Sequence, residues 1–337
     1  MSLKTIPELL ENRVKEFRSR LLFQRRDGWS WKQITWLDFD REVKNISAYM
    51  FDLGLNSGDR SIFASSTRIE SVTAQTAVYM LGGVIVPVSP EESAENFVKA
   101  VNALDVKFIF LENVSQLNSI LSVWDKFSSV EKILLLSNDR PGDKRVVNFQ
   151  EIVKFGLMKK KKLLDTITEI SQAIDPDSTC TIFINGTDVN DGIKEVSHVD
   201  LLDVLESISA KISVIGDEDQ TFSFMSAATP FSQFVNFVTM YRANRAVFAE
   251  SREEFIGDIL EVKPTVLFDT KDGIDSLYAK STSSVDGLTA ANKLKRDLGS
   301  RLNYLYVDEM PGSAVERLLK VSGVKIIQID EFNKMLS

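Results

Sequence analysis

Short apolar runs separated by stretches of helical periodicity recur along this chain, and that rhythm leaves few folds open to it. Val84–Val88 is wholly apolar and is closed by Pro87 and Pro90. Comparable runs lie at 107–111, 132–136, 181–184, 221–225, 246–249, 265–268, 302–307 and 325–329. Between them the period changes. Phe39, Val43, Ile46, Met50 and Leu53 fall on one helical face, ended by Gly54 and a turn at Asn56-Ser57-Gly58-Asp59. A second amphipathic helix is expected over 68–81, stopped by Gly82-Gly83. Continuous apolar strands alternating with helices are what a buried parallel sheet requires. Both of its faces must be covered, and each crossover needs a helix. The expected class is α/β, with largely parallel sheets flanked by helices.

The stretch 139–176 interrupts the rhythm. It opens with Arg140-Pro141-Gly142-Asp143 and closes with Asp175-Pro176-Asp177-Ser178, and it reads as a connection. This divides the chain into a first lobe, 1–176, and a second, 177–337. Residues 281–286 are Ser-rich and read as a loose loop.

With 337 residues, there is length for two packed lobes. A net charge of -8 excludes a general nucleic-acid binder, which needs a basic surface. The one basic run, Lys159 with Lys160, Lys161 and Lys162, reads first as a solvated helix start or loop and second as a patch for phosphate or lipid headgroups. A single histidine, His198, rules out a His-rich zinc site. A single cysteine, Cys180, rules out internal disulfides. The amphipathic N-terminus is unlike a signal peptide, and no apolar run reaches the roughly 20 residues of a membrane span. A cytoplasmic location is expected.

Thr5-Ile6-Pro7-Glu8-Leu9-Leu10, Ile34-Thr35-Trp36-Leu37-Asp38-Phe39, Leu53-Gly54 ahead of Ser57-Gly58-Asp59-Arg60, and Gly82-Gly83 ahead of Val86-Pro87 follow one another in an order that resembles the acyl-CoA synthetases, adenylate-forming enzymes of the long-chain fatty acid–CoA ligase type. Thr5-Ile6-Pro7-Glu8-Leu9-Leu10 is similar to that family's opening, and Ile34-Thr35-Trp36-Leu37-Asp38-Phe39 to its "ITWxEF". Leu53-Gly54-Leu55-Asn56-Ser57-Gly58-Asp59-Arg60 is similar to "LGVKPGDRV", and Gly82-Gly83-Val84-Ile85-Val86-Pro87-Val88 to "GAVxVPL". Phe248-Ala249-Glu250-Ser251 followed by Val262-Lys263-Pro264-Thr265-Val266-Leu267-Phe268 is similar to "FAES…VxPTVLF". The resemblance implies two stacked α/β lobes, as in the large N-terminal domain, without the family's β-barrel subdomain and C-terminal domain. These pieces are turn glycines, prolines and core hydrophobes, so they speak for fold and not for chemistry. Trp29, Trp31 and Trp36 are read as packing residues.

The family would use ATP, Mg²⁺ and CoA, and the resemblance says where. Its phosphate loop, "TSGTTGxPKG", surrounds phosphates with amides and hydroxyls and adds a lysine. The matching stretch here is Asn185-Gly186-Thr187-Asp188-Val189-Asn190-Asp191-Gly192. Asp188 stands in place of a hydroxyl and Gly192 in place of the lysine; Lys194 is the nearest substitute. The family's "PLSHVFE" histidine corresponds to Thr229, and the glycine pair of "SGGAPLS" to Asp308 and Glu309. In "GYGxTE" the threonine and the metal-holding glutamate correspond to Asn333 and Lys334. An ammonium repels Mg²⁺. In the resemblance, Asp188, Asp191, Asp308, Glu309, Asp330 and Glu331 share one cleft, read either as a solvated groove or as a site for a cation.

The expected function is a non-catalytic relative of these ligases, a binding or scaffolding module with a protein partner or its own copy. It is expected to have no catalytic residues, metal or cofactor. Two alternatives stay open. One is a truncated AMP-forming acyl-CoA ligase completed by another chain. The other is a sensor of an acyl or other apolar ligand, with Phe222, Phe224, Phe231, Phe234, Phe237 and Met240 as lining or as plain core. A relay through His198, Ser197, Asp200 and Glu195 is disfavoured, because neighbours in sequence do not supply a relay's geometry.

Overall fold

A computed structural model describes residues 3–184, 188–216, 219–226, 228–249, 252–282 and 287–332. Helix α1 (Ile6–Phe17) leads into strands β1 (Leu21–Asp27) and β2 (Ser30–Thr35), then α2 (Trp36–Asp52). Next come β3 (Arg60–Ala64), α3 (Ile69–Met80), β4 (Val84–Val88), α4 (Ala94–Ala103), β5 (Val106–Leu111) and α5 (Val114–Leu121). They are followed by β6 (Lys132–Leu135), β7 (Val146–Asn148), α6 (Phe149–Gln172), β8 (Thr179–Ile184), β9 (Ile193–Ser197) and α7 (His198–Lys211). Then follow β10 (Gln220–Ser223), α8 (Pro230–Arg242), β11 (Arg245–Phe248), α9 (Arg252–Val262), β12 (Val266–Phe268) and α10 (Lys271–Thr282). The described part closes with α11 (Gly287–Asp297), β13 (Tyr304–Val307), α12 (Ser313–Val321) and β14 (Lys325–Gln328).

The chain forms two compact units that are not successive halves of the sequence. The first comprises Met1–Ser19, Trp36–Asp203 and Ser226–Gln233; the second comprises Arg20–Thr35, Val204–Met225 and Phe234–Ser337. The boundary expected near residue 176 falls inside the first unit.

In the first unit the strand order is β7-β6-β5-β3-β4-β8-β9. All pairs are parallel except β8 with β9. Phe108, Ile109, Phe110 and Leu111 are fully buried in succession, as a strand covered on both faces must be. Phe63 and Phe110, on neighbouring strands, stack at 4.1 Å. Helix α3 is buried along its whole length. The stretch 139–176 is mostly helix: α6 takes 24 of its residues and packs along α2. Asn148 caps it by accepting from the Glu151 amide. Its long polar surface hid the apolar stripe through Ile152, Gly156 and Ile167. The four-lysine run therefore sits mid-helix, not at a helix start.

The second unit has the order β14-β13-β12-β10-β11-β1-β2, again parallel except for the β1–β2 pair. Its core gathers Phe222, Val247, Phe255, Leu267, Leu294, Leu305 and Leu319, with Phe222 stacked on Phe255 at 4.8 Å. Gly28 turns the β1–β2 hairpin at φ +60, which a side chain would resist. Trp29, at the tip, is fully exposed and packs nothing, contrary to expectation; Trp36 is fully buried. Trp31 packs on the second core and donates from Nε1 to Glu261 at 2.7 Å. Of residues 281–286, Ser281 and Thr282 belong to α10, and the rest lie outside the described residues.

Candidate functional site

In the first unit, β8 and β9 form the hairpin that the resemblance marks as the phosphate loop, with Phe183 opposite Lys194 and Ile184 opposite Ile193. Asn185, Gly186 and Thr187 lie outside the described residues. Asp188 follows them, and its carboxylate is already engaged. It accepts from the Asn190 amide at 2.9 Å, capping a 3₁₀ turn over Val189–Asp191. It also accepts from Nζ of Lys99, on α4, at 2.8 Å. The Lys99 ammonium holds the Asp188 carboxyl below the usual carboxylate range, and the carboxylate holds Lys99 above the usual range for lysine. Asp191 is exposed. Gly192 ends the turn at φ +112.

Thr229 serves as a helix cap. Its hydroxyl accepts from the Ser232 amide at 3.2 Å and donates to the Ser232 hydroxyl at 3.0 Å, at the start of α8.

In the second unit, Asp308 follows β13. Its carboxylate accepts from the amide of Lys271 at 2.8 Å, in the first turn of α10, and from the Glu309 amide at 2.8 Å. Glu309 itself is exposed. Asp330 and Glu331 both accept from Lys211, at 3.0 and 2.6 Å. Asn333 and Lys334 lie outside the described residues. Among the described residues, no three His, Cys, Asp or Glu side chains are grouped so as to hold a metal ion.

The remaining candidates are structural. His198 is 1% exposed; its ring meets Tyr79 edge-on at 5.7 Å, and Nδ1 accepts from the Ile6 amide at 3.5 Å. Burial pushes its pKa down to about 4, so it stays neutral. Ser197 and Asp200 cap α7 reciprocally: the Ser197 hydroxyl donates to Asp200 at 2.7 Å and accepts from the Asp200 amide at 3.1 Å. Glu195 accepts from the Thr179 hydroxyl at 2.7 Å across the hairpin. Cys180 is buried, which pushes its thiol up to about 12 and leaves no reactive thiolate. Phe222, Phe231, Phe234, Phe237 and Met240 are buried and Phe224 is half-buried. Phe222 belongs to the second unit's core.

The sequence signature of the AMP-binding enzymes matches residues 10–329. The chain belongs to the AMP-binding enzyme family. Among relatives, the long-chain-fatty-acid–CoA ligase ACSBG2 of Rattus norvegicus is 22% identical over 296 residues, which is 83% of this chain and 43% of that protein. The long-chain-fatty-acid–CoA ligase FadD15 of Mycobacterium bovis is 20% identical over 156 residues, 46% of this chain and 23% of that protein. The chain thus spans less than half the length of these relatives. Among solved structures, a long-chain-fatty-acid-CoA ligase (FadD1) from Archaeoglobus fulgidus matches with a TM-score of 0.74 at 14% identity, covering 98% of this chain and 64% of that one. The anthranilate CoA ligase AuaEII, solved with anthranoyl-AMP, matches with a TM-score of 0.74 at 13% identity, covering 97% and 60%. At those identities the likeness is one of fold.

For this AMP-binding family member, sequence reasoning missed the partners of its acidic residues. Lys99 lies 89 residues from Asp188. Its only local signal was Glu95, one turn earlier and 3.6 Å away, which marks an ordinary surface pair. Lys211 lies 119 residues from Asp330, and the Lys271 amide 37 from Asp308. No spacing rule reaches across such distances.

Proposed function

We propose that this acyl-CoA-ligase-like member of the AMP-binding family is a non-catalytic binding or scaffolding module. It does not take up ATP, Mg²⁺ or CoA, and it acts through a protein partner or a second copy of itself. The observation that carries the reading is the Asp188–Lys99 pair: the position of a phosphate-loop hydroxyl is held by a carboxylate that consumes a nearby cation. With Lys99 committed to Asp188, that ammonium is not free to meet a triphosphate brought to this loop. The other positions tell the same way. Thr229 caps α8 and Asp308 caps α10, so both have been turned to holding the fold. These contacts support the reading that no magnesium–nucleotide complex is bound here.

Two assays with the full chain test this. One is ATP–pyrophosphate exchange with fatty acids of several lengths, expected at background. The other is thermal unfolding with millimolar ATP and Mg²⁺. A ligand at 100 times its Kd adds about 2.7 kcal/mol of stability. An unmoved transition is expected, and a clear upward shift or measurable exchange overturns the proposal.

A further inference from the structure

Helix α6 carries five lysines in nine residues: Lys154, Lys159, Lys160, Lys161 and Lys162. No carboxylate falls between Glu151 and Asp165, in a chain whose net charge is -8. The same stretch holds three exposed large apolar side chains: Phe155 at 42%, Leu157 at 57% and Met158 at 69%. Apolar and basic groups thus share one short surface.

Gly156 fixes which way that surface points. A Cβ at Gly156 would lie 1.8 Å from the backbone oxygen of Asn45, so this side of α6 is pressed on α2. Met158, two residues on, lies on the far side. One turn before it is Lys154, and one turn after it are Lys161 and Lys162. Lys159 is committed to Asp52 at 3.0 Å, and Lys160 is half-buried beside Asp40, Lys44 and Arg41. Lys154, Lys161 and Lys162 are exposed, and among the described residues no carboxylate pairs with them.

We propose that the outward face of α6, from Lys154 to Lys162, docks on the surface of an anionic lipid bilayer. Leu157 and Met158 enter the boundary between headgroups and acyl chains, and Lys154, Lys161 and Lys162 meet the lipid phosphates. A helix lies in that boundary when one side offers apolar groups and its flanks offer cations. The long lysine stems extend the apolar contact while the ammonium groups reach outward. Charge complementarity selects the partner: the exposed Lys154, Lys161 and Lys162, unpaired among the described residues, call for an anionic surface. That all five are lysine and none arginine points to attraction by charge and not to bidentate recognition of one group. Leu157 and Met158, exposed among them, favour a bilayer over a nucleic acid, whose phosphate face offers them nothing; Phe155 instead stacks on Tyr49 of α2 at 6.0 Å. No helix among the described residues is long and apolar enough to cross a membrane, so the contact is peripheral.

Each lysine at an anionic leaflet contributes about fivefold in affinity, equivalent to about 1 kcal/mol. The test is co-sedimentation of the full chain with vesicles of phosphatidylcholine, with and without phosphatidylserine. The expected result is binding to the anionic vesicles alone, fading as salt rises. K161Q/K162Q should weaken it by roughly 25-fold, and M158D should also weaken it. Both substitutions lie on the surface and should leave thermal unfolding unchanged. Four results overturn the proposal: no binding to either vesicle, equal binding to both, binding that survives these variants, or capture of the chain by polyglutamate while vesicles fail. The last would make an acidic protein the partner of this face.

Discussion

Lys99 on α4 donates to the carboxylate of Asp188 at 2.8 Å, joining a helix to the hairpin loop from 89 residues away. The pair has a defined pH window. The Asp188 carboxyl is lowered from its ordinary 3.8, so its contribution is complete above that value and is lost as pH falls through the lowered one. Lys99 is raised from its ordinary 10.5, so its contribution is complete below that value and is lost as pH rises through the raised one. A double-mutant cycle of K99Q and D188N, read from urea midpoints, should therefore show a modest constant coupling between those limits and none in strong acid. A coupling that persists in strong acid would show that the contact is not ionic.

His198 gives a second pH signature, and as the only histidine it can be read without overlap. Burial lowers its pKa from 6.5 to about 4. The unfolded chain binds a proton there before the folded one does, so stability from this group is complete above 6.5 and falls as pH drops toward 4. The loss amounts to roughly 3 kcal/mol. The imidazole proton resonances should not shift between pH 8 and about 5 in the native protein. The acid-side slope of stability should shrink in H198Q.

Much of the sheet structure was legible because parallel strands are buried on both faces and read as unbroken apolar runs. The expected strand at 84–88 is β4 to the residue, and 325–329 is β14 with one residue more. Strands exposed on one face were not legible. β1 and β2 read Leu-Leu-Phe-Gln-Arg-Arg-Asp and Ser-Trp-Lys-Gln-Ile-Thr, and β9 reads Ile-Lys-Glu-Val-Ser. Their polar residues masked the alternation, and each is half of the antiparallel pair at a sheet edge. β3 was not legible because Ile62 and Phe63 are its only large apolar residues, flanked by Arg60, Ser61 and Ala64. At the candidate site, the structure places Asp188 beyond β8, Thr229 just before α8 and Asp308 just after β13; the sequence reading set Asp188 and Asp308 after strands and gave Thr229 no element. It gave no warning that each is tied to a cap or a distant lysine, since such contacts depend on the fold being made.

Asp308 and Glu309 are neighbours with opposite expectations. The Asp308 carboxylate takes up the Lys271 amide, one of the amides a helix start leaves without an internal partner. D308A should cost about 1 kcal/mol, the usual worth of a lost cap. Glu309 is exposed, and E309A should change stability by less than about 0.5 kcal/mol. Chemical denaturation of the two variants side by side separates a residue holding the fold from an exposed one that does not. Equal effects would contradict this division.

Gly156 tests the packing of α6 on α2. Alanine improves helix propensity by up to about 1 kcal/mol at a solvent-exposed site. Here its Cβ would lie 1.8 Å from the Asn45 backbone oxygen, which cannot rotate away. The two helices must separate, and overpacking of this kind costs about 1–3 kcal/mol, occasionally more. G156A should therefore lower the unfolding midpoint, and a raised midpoint would mean that the helices are not in close contact there.

Arg26 and Asp258 should respond unequally to removal, although they share one contact. Arg26 donates to Asp258 from Nη2 at 2.6 Å and from Nε at 3.2 Å; Nη2 also reaches Glu261 at 2.6 Å, and the guanidinium lies over the Trp31 ring at 4.5 Å. The Asp258 side chain is only 5% exposed, and its second carboxylate oxygen has no hydrogen-bond partner. R26A leaves that carboxylate charged, buried and unpaired, a loss of about 3–5 kcal/mol. D258N keeps the shape and removes the charge, while Arg26, 20% exposed, retains Glu261, Trp31 and access to water. Its cost should be nearer 1.5–3 kcal/mol, about the worth of one charge-assisted hydrogen bond. Urea unfolding of both variants decides the order. If D258N proved the more damaging, the buried carboxylate would be drawing its stabilisation from elsewhere than the hairpin arginine.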